Sequence, residues 1–482
     1  ILDDGTVEIL SYIGHRRFIT IPEKIEDRIV SSIGDFAFAG ETNLREVGLP
    51  SGLRHIGLSA FEGCSNLVSM YIPENVTEIE SRAFAECVRL STIAFTGQSK
   101  LLTMGNRAFE GCGKLRTIEL PASLQEIEGL AFVGTSALTT IRVQSENQYF
   151  KSEDGVLFDV SGETLVAYPA AHGTTYAIPD GTKTVGAYAF CGAKVIFLDF
   201  GNIERIESFA FAGSSVLTVH IPDSVTTMKE GAFQMSAVRE LTIGAGLTEI
   251  AAGAFAACGS LSVVHISDGI EIIGDRAFST CLSLSSVYIP SGVSKIESRA
   301  FFESGLVNVT FDEYGCLQSI GNAAFARCPL SEVHIPASVI ELGSATANIE
   351  DPKQCTDVVM GVFERTPLTE ITFAENSQLQ MIGNKAFAYS SITSIDLPQG
   401  LEYLGMCAFW YTPLEAITLP ASLKMLGEGA FGYTTSLSAI KVADGNATYH
   451  DVDGVVYNCD NTAIYAYPAD RSGDYEILDT VC

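Results

Sequence analysis

Positive charge and long apolar runs are scarce in this sequence. Lys and Arg total 29 against 58 Asp and Glu, so the formal net charge is −29 at pH 7. Such a chain repels nucleic-acid phosphates and anionic lipid surfaces. No stretch approaches the roughly 18–20 apolar residues of a membrane span, and the first residues lack the basic and apolar regions of a signal peptide. We therefore expect no nucleic-acid partner and no membrane insertion of this chain, with any export signal or surface anchor lying outside it.

Motifs for catalysis are missing as well. The chain has no G-x-S-x-G nucleophile elbow, no H-E-x-x-H zinc motif and no Walker phosphate loop, and its seven histidines are scattered. Asp451 and Asp453 before Gly454 resemble part of a calcium loop, but Asp-Gly is ordinary turn chemistry and the remaining ligands are missing. We expect a protein that is not an enzyme, with no catalytic residue, no metal ligand and no cofactor.

The twelve cysteines contain no C-x-x-C spacing. Six of them lie three residues after the Phe of an Ala-Phe pair: Cys64, Cys87, Cys112, Cys258, Cys281 and Cys328. In other repeats the same position holds a hydroxyl: Thr135, Ser214, Ser236, Ser304, Thr366, Ser390, Thr412 or Thr434. A position that accepts thiol and hydroxyl equally selects a small side chain that hydrogen-bonds locally. The pattern favours a structural ladder over disulfides or a metal site.

What the chain does contain is a repeat built on Ala-Phe pairs. The pairs place Phe at 38, 61, 84, 109, 132, 190, 211, 233, 255, 278, 301, 325, 387, 409 and 431, with Val362-Phe363 in one further position. The dominant step of 21 to 25 residues lies within the range of leucine-rich repeats. Each unit also carries an L-x-x-I-x-I segment such as Leu67, Met70 and Ile72, which alternates like a half-buried strand. We predict one short parallel strand per repeat, a Phe that fills the interior, and repeats that stack on one another.

Two segments, one between repeats and one after the last repeat, have nearly the same amino-acid sequence. The first segment contains Asp154 to Phe158 and then Thr164 to Pro169. The second contains the corresponding runs, Asp453 to Tyr457 and then Thr462 to Pro468. Each copy is typical of a β-hairpin. The predicted organisation is an N-terminal β cap at 1–35, a first array at 36–143, a β-hairpin insertion at 144–178, a second array at 179–442 with a loop insertion at 344–361, and a C-terminal β-hairpin module with the start of a further repeat at 443–482.

The repeat unit, typified by Leu-Val-Ser-Met-Tyr-Ile-Pro-Glu-Asn-Val-Thr-Glu-Ile-Glu-Ser-Arg-Ala-Phe-Ala-Glu-Cys from Leu67 to Cys87, resembles the BspA-type or treponemal-type leucine-rich repeats of bacterial surface proteins. The resemblance spans nearly the whole chain. The fold we expect is an α/β leucine-rich-repeat solenoid with β-hairpin insertions. It would be a right-handed, horseshoe-like superhelix with a parallel β-sheet on one face and short turns, helical turns and extended segments on the other. The resemblance implies a secreted or surface-displayed protein that mediates host interaction and adhesion to host matrix proteins or other microbes. We expect the chain to be a monomer.

Candidate contact residues lie at outward positions of the predicted strands. They are Tyr71, Phe197, His220, His265, Tyr288 and His334, set among hydroxyl and carboxylate neighbours. Such a mixture suits contact with a protein or a glycan. The alternative interpretation is an ordinary solvated sheet face.

A second group lies two residues after Phe in three consecutive repeats, where earlier repeats mostly carry Gly. It consists of Tyr389, Tyr411 and Tyr433, with the single tryptophan Trp410 beside them. Stacked aromatics there could anchor a protein or a sugar ring, or could simply pack on one another. Three functions therefore remain open: binding of a protein ligand on a host or microbial surface, binding of carbohydrate through the tyrosines, and a passive spacer that displays other domains.

Overall fold

Each repeat folds into one coil, and most coils carry a long and a short strand; the coil of Tyr403–Leu404 has the short strand without a long one. The computed structural model describes residues 1–344, 360–478, 480 and 481. These residues form two compact units, Ile1–Thr218 and Val219–Cys482. The predicted division into five segments remains a prediction. The loop insertion predicted at 344–361 falls, from 345 to 359, outside the described residues.

The long strands are the predicted L-x-x-I-x-I segments. In Ser69–Ile72 the side chains of Met70 and Ile72 are buried and Tyr71 is exposed, and the strand pairs in parallel and in register with Thr92–Phe95. In chain order the long strands are Phe18–Thr20, Glu46–Gly48, Ser69–Ile72, Thr92–Phe95, Thr117–Leu120, Thr140–Val143, Thr175–Ala177, Phe197–Asp199, Thr218–Ile221, Glu240–Ile243, Val263–His265, Ser286–Ile289, Asn308–Phe311, Glu332–Ile335, Glu370–Phe373, Ala416–Leu419 and Ala439–Val442.

Two-residue strands along another side of the coils pair in parallel and belong to three separate sheets. They are His55–Ile56, Glu78–Ile79, Thr103–Met104, Glu126–Ile127, Thr184–Val185, Arg205–Ile206, Thr227–Met228, Glu249–Ile250, Ile272–Ile273, Lys295–Ile296, Ser319–Ile320, Glu341–Leu342, Met381–Ile382, Tyr403–Leu404 and Met425–Leu426. The sequence predicts one strand per repeat and the structure has two in most repeats. Two residues are too few to show the alternation that identifies a strand, so the only signal in the sequence was an Ile, Met, Leu or Val that recurs between the long strand and the Ala-Phe pair.

The prediction of an α/β fold with helical turns is wrong, because the described residues contain no helix. Around Phe61 the backbone instead turns repeatedly, with Ser59 at φ 52° and Gly63 at φ 69°. Phe61 N–H donates to Ala83 O of the next coil at 2.8 Å, while Cys64 N–H donates back to Phe61 O at 3.2 Å. Left-handed residues on both sides of the Phe prevent the run of right-handed residues that a helix needs, and they aim alternate N–H groups at the neighbouring coil.

The Phe side chains stack through the interior of each unit. In the first unit, Phe38 and Phe61 have ring centroids 5.0 Å apart and Phe61 and Phe84 5.4 Å, with nearly parallel planes. In the second unit the same stacking runs from Phe233 to Phe431, with centroids 5.2 to 5.9 Å apart. The prediction of stacked coils with a Phe-filled interior is confirmed.

The cysteine ladder follows this stack. Cys64 Sγ donates to Phe38 O of the preceding coil at 3.1 Å, and Cys281 Sγ does the same to Phe255 O at 3.2 Å. Thr366, in the equivalent position, donates to the carbonyl of Phe363 in its own coil at 2.8 Å. All cysteines among the described residues are free thiols. In these coils the position hydrogen-bonds a Phe carbonyl, as the shared thiol and hydroxyl usage predicts. Ser236 and Ser304 instead share a hydrogen bond with Cys258 and Cys328, and the hydroxyls of Ser214 and Ser390 are buried without a partner in the described part of the chain.

The cap and the two hairpin segments add antiparallel pairs. The cap strands are Val7–Ile9, Lys24–Ile25 and Arg28–Ile33, where the first joins a short-strand sheet in parallel. Each hairpin segment has three strands, one more than the hairpin predicted: Phe150–Glu153, Val156–Asp159 and Thr164–Ala167, then Tyr449–Val452, Val455–Asn458 and Ile464–Ala466. No helix of the described residues is long and apolar enough to cross a membrane.

Candidate binding surfaces

The outward positions of the long strands form exposed rows, and six of the predicted contact residues lie on them. Tyr71 and Phe197 are exposed in the first unit but belong to different sheets. In the second unit, exposed outward positions hold four predicted residues: His220, His265, Tyr288 and His334. The second unit thus presents the denser group.

Three of these residues are paired with a threonine on a neighbouring strand. His265 is opposite Thr242, Tyr288 is opposite Thr310, and His334 is opposite Thr372. We call His265, Tyr288, His334 and their threonine partners the strand row. His334 Nδ1 lies 2.8 Å from Thr372 Oγ1.

Tyr288 is held on the surface by a carboxylate. Its Oη donates to Asp312 Oδ2 at 2.6 Å. This hydrogen bond raises the pKa of Tyr288 and lowers the pKa of Asp312, because it stabilises the neutral phenol and the ionised carboxylate together. The phenol is therefore positioned before any ligand arrives.

A shallow hollow of about 360 Å³ lies on the same face, around His334. Glu332 and Glu370 line it, and they are directly opposite each other on paired parallel strands. Like charges in that arrangement are destabilising. Outward positions of the described long strands from Glu240–Ile243 to Glu370–Phe373 carry three carboxylates, Glu240, Glu332 and Glu370, and no Lys or Arg. This face is suited to a cationic ligand.

The predicted aromatic group also comes together in the structure, along the turns of the second unit. Tyr389 and Tyr411 have ring centroids 5.2 Å apart and Tyr411 and Tyr433 4.5 Å, with nearly parallel planes. Trp410 packs at an angle on Tyr433, with centroids 4.7 Å apart. We call these four residues the tyrosine stack. The tyrosines are 41%, 48% and 56% exposed.

Sequence reasoning missed the residue that covers one end of the stack. The guanidinium carbon of Arg365 lies over the Tyr389 ring, 4.6 Å from its centroid. Arg365 occupies the same position, two residues after Phe363, one repeat earlier, so extending the register comparison by one repeat could have found it. Because neighbouring rings and this guanidinium cover the ring faces, the stack presents mainly its edges and hydroxyls to solvent. A sugar ring that stacks on an open aromatic face finds little room there.

The backbone under the tyrosine stack is left-handed. Tyr389, Tyr411 and Tyr433 have φ of 59°, 56° and 60°. A non-glycine residue in this region costs roughly 1–2 kcal/mol. Each stacked pair contributes about 0.5–1.5 kcal/mol beyond area burial, so ring stacking offsets much of that cost.

Among the described residues, one set of side chains lies close enough to hold a metal ion: His55, Glu78 and Glu80 in the first unit. It is separate from the strand row and from the tyrosine stack, which both lie in the second unit.

Comparison with known proteins gives the following. The family model of the BspA type leucine rich repeat region matches residues 31–154, 170–284, 233–348, 271–377 and 343–463. Similar solved structures include a leucine rich cell surface protein from Faecalibacterium prausnitzii, with 21% identity over 78% of this chain and 92% of that chain and a TM-score of 0.37. A leucine-rich repeat protein from Eubacterium ventriosum has 24% identity over 63% of this chain and 91% of that chain, with a TM-score of 0.43. The leucine rich repeat protein of T. pallidum has 25% identity over 44% of this chain and 84% of that chain, with a TM-score of 0.32. No curated protein matches the chain.

Proposed function

Because the chain belongs to the BspA-type leucine-rich-repeat family, we propose that it is a non-catalytic binding protein, secreted or displayed on a bacterial surface, that holds a protein partner through the strand row of its second unit. The partner's contacting face is cationic. The observation that carries this proposal is the succession of exposed Tyr288 and His334 at outward positions of long strands, with the opposed carboxylates of Glu332 and Glu370 beside His334.

The chemistry of the row supports a protein ligand. Tyrosine is enriched at interface cores because it supplies a large apolar ring and a hydrogen-bonding end. Tyr288 and His334 are exposed but already hydrogen-bonded, so little side-chain conformational freedom is lost when a partner covers them.

Charge supports a cationic partner. A Lys or Arg from the partner, placed between Glu332 and Glu370, would relieve the repulsion between the two carboxylates. The net charge of −29 would also speed encounter with a basic surface, an effect that salt screens.

The test measures binding of the full chain to a panel of purified host and microbial surface proteins that spans acidic and basic isoelectric points, with a glycan array in parallel. We expect basic proteins to bind, more weakly as salt rises. The double variant Tyr288→Ala, His334→Ala should weaken binding by about 30-fold or more, the effect of losing an interface anchor of ~2 kcal/mol.

The matched control is the triple variant Tyr389→Ser, Tyr411→Ser, Tyr433→Ser, which changes exposed aromatics on another part of the same unit. Loss of binding in the control alone would move the site to the tyrosine stack. Glycan binding lost in the control would establish the carbohydrate alternative. If the folded chain binds none of these proteins or glycans, the spacer function would be the one that remains.

A further inference from the structure

We propose that His55, Glu78 and Glu80, on a short-strand sheet of the first unit, form a binding site for a divalent transition-metal ion of the Zn²⁺ class. This site is independent of the protein-binding function proposed for the second unit.

Strand pairing brings the three side chains together. His55 and Glu78 are directly opposite each other on paired parallel strands, and Glu80 follows two residues later. His55 Nε2 lies 2.8 Å from Glu80 Oε1 and 3.9 Å from Glu78 Oε2, and the three potential ligand atoms all lie within 4.8 Å of one another. Tetrahedral Zn²⁺ with bonds of about 2.0–2.1 Å needs ligand atoms about 3.4 Å apart. The observed separations bracket that value, so small side-chain rotations suffice.

A hydrogen-bond chain orients the imidazole. His55 Nδ1 lies 3.2 Å from Ser32 Oγ, and Ser32 Oγ donates to Glu8 Oε1 at 3.0 Å. An ionised carboxylate can only accept, so the Ser32 hydrogen points to Glu8 and the Ser32 oxygen accepts from Nδ1–H. Nε2 is then the ring nitrogen that faces the two carboxylates. Histidine ligands of metals are commonly oriented this way, through a hydrogen bond from the other ring nitrogen.

Four coils carry a glutamate directly after the short strand; two of them pair it with a cation, whereas Glu128, like Glu80, has a second glutamate, Glu126, two residues before it. Glu297 pairs with Lys295 at 2.9 Å, and Glu207 pairs with Arg205 at 3.2 Å, so the residue two positions before the glutamate is a cation. In the coil of Glu80 that position holds Glu78. Across the described residues, the recorded ion pairs of these two carboxylates are with His55 alone.

A divalent cation would balance this surplus of negative charge. The side chains of His55, Glu78 and Glu80 are 30%, 50% and 34% exposed, so an ion can reach them from solvent. Three protein ligands leave a fourth position for water. Imidazole and carboxylate ligands together suit Zn²⁺ better than Mg²⁺, which prefers oxygen ligands.

The test is calorimetric titration of the full chain, stripped with EDTA, with ZnCl₂ and separately with MgCl₂. We expect one Zn²⁺ site that is lost in His55→Ala and weakened at least tenfold in Glu80→Gln, with no Mg²⁺ binding at the same concentrations. Ser32→Ala keeps all three ligands and should weaken Zn²⁺ by about 10–100-fold, as loss of an orienting partner does. Zn²⁺ should raise the melting temperature of the parent chain more than that of Glu80→Gln.

His334→Ala is the control for weak binding by any exposed histidine, and it should leave the titration unchanged. The proposal would be overturned if Zn²⁺ binding persisted in both His55→Ala and Glu80→Gln, or if it disappeared in His334→Ala. A parent chain that binds no Zn²⁺ would overturn it as well. Far-UV circular dichroism of each variant without metal separates loss of the site from loss of the fold.

Discussion

Replacing Phe278 interrupts the Phe stack of the second unit near its middle. The side chain is fully buried, and its ring centroid lies 5.5 Å from that of Phe255 and 5.3 Å from that of Phe301, with planes within 8° and 9° of parallel. Phe431 is near the end of the same stack. It is 9% exposed, and its one recorded stacking partner among the described residues is Phe409, at 5.9 Å. The two positions therefore differ mainly in how many ring contacts a substitution removes.

The magnitudes follow from these contacts. Phe278→Ala leaves a cavity and should reduce the free energy of unfolding by about 3–5 kcal/mol. Phe278→Leu keeps most of the volume but removes two stacked pairs, each contributing about 0.5–1.5 kcal/mol, so we expect a loss of about 1–3 kcal/mol. Phe431→Leu removes one such pair and should cost about half as much.

The assay is urea unfolding of the full chain followed by far-UV circular dichroism, with hydrogen exchange of the peptides around each substituted coil. Exchange should increase most in the substituted coil and its two neighbours, because each coil is sealed by the next. Equal losses for the two Leu variants, or a loss below about 1 kcal/mol for Phe278→Ala, would refute the idea that the ring stack holds the coils together.

Two further predictions concern the tyrosine stack and the thiols. A Cβ at Gly432 would collide with the ring of Trp410, so Gly432→Ala should displace this single tryptophan and shift its fluorescence to longer wavelength. Gly259→Ala, which meets open space, should leave the spectrum unchanged, and identical spectra for both would contradict the packing. Burial raises the pKa of the Cys64 thiol from 9.0 to about 12. The unfolded thiol therefore ionises first, and the contribution of Cys64 to stability, present in full below pH 9, should fall by roughly 1 kcal/mol per pH unit above it. Other thiols whose pKa burial raises, such as Cys112 and Cys258, add losses of the same sign. Urea midpoints from pH 8 to 10.5 check this, and a fall just as steep in Cys64→Ser would assign the loss to other groups.

Much of the fold is readable from the sequence because its strongest constraints are local and repeated. Met70 and Ile72 alternate with outward residues, which identifies a strand with one buried face. A Phe that returns every two dozen residues or so, beside a small Ala in all repeats but that of Val362-Phe363, predicts an interior filled by one ring per coil. The exchange of Cys281 for serine or threonine in other coils predicts a local hydrogen bond rather than a disulfide.

Other features could not be predicted because their signals are short or depend on backbone geometry. The two-residue strand His55–Ile56 is too short to show a period. The turns around Phe61 contain good helix formers such as Ala60, and only the left-handed φ of Ser59 and Gly63 excludes a helix. Neither residue type alone implies that conformation.

Stacking of coils was thus determined by the amino-acid sequence itself, because repeated burial of the same apolar positions leaves each unit with faces that only a neighbour can cover. The candidate sites were decided by tertiary structure. Arg365 meets Tyr389, and His55 meets Glu78, because residues one coil apart in sequence lie one strand spacing apart in space. Whether such neighbours stack, repel or share an ion depends on side-chain orientation, and orientation is set by the pairing register and by the backbone angle at each position.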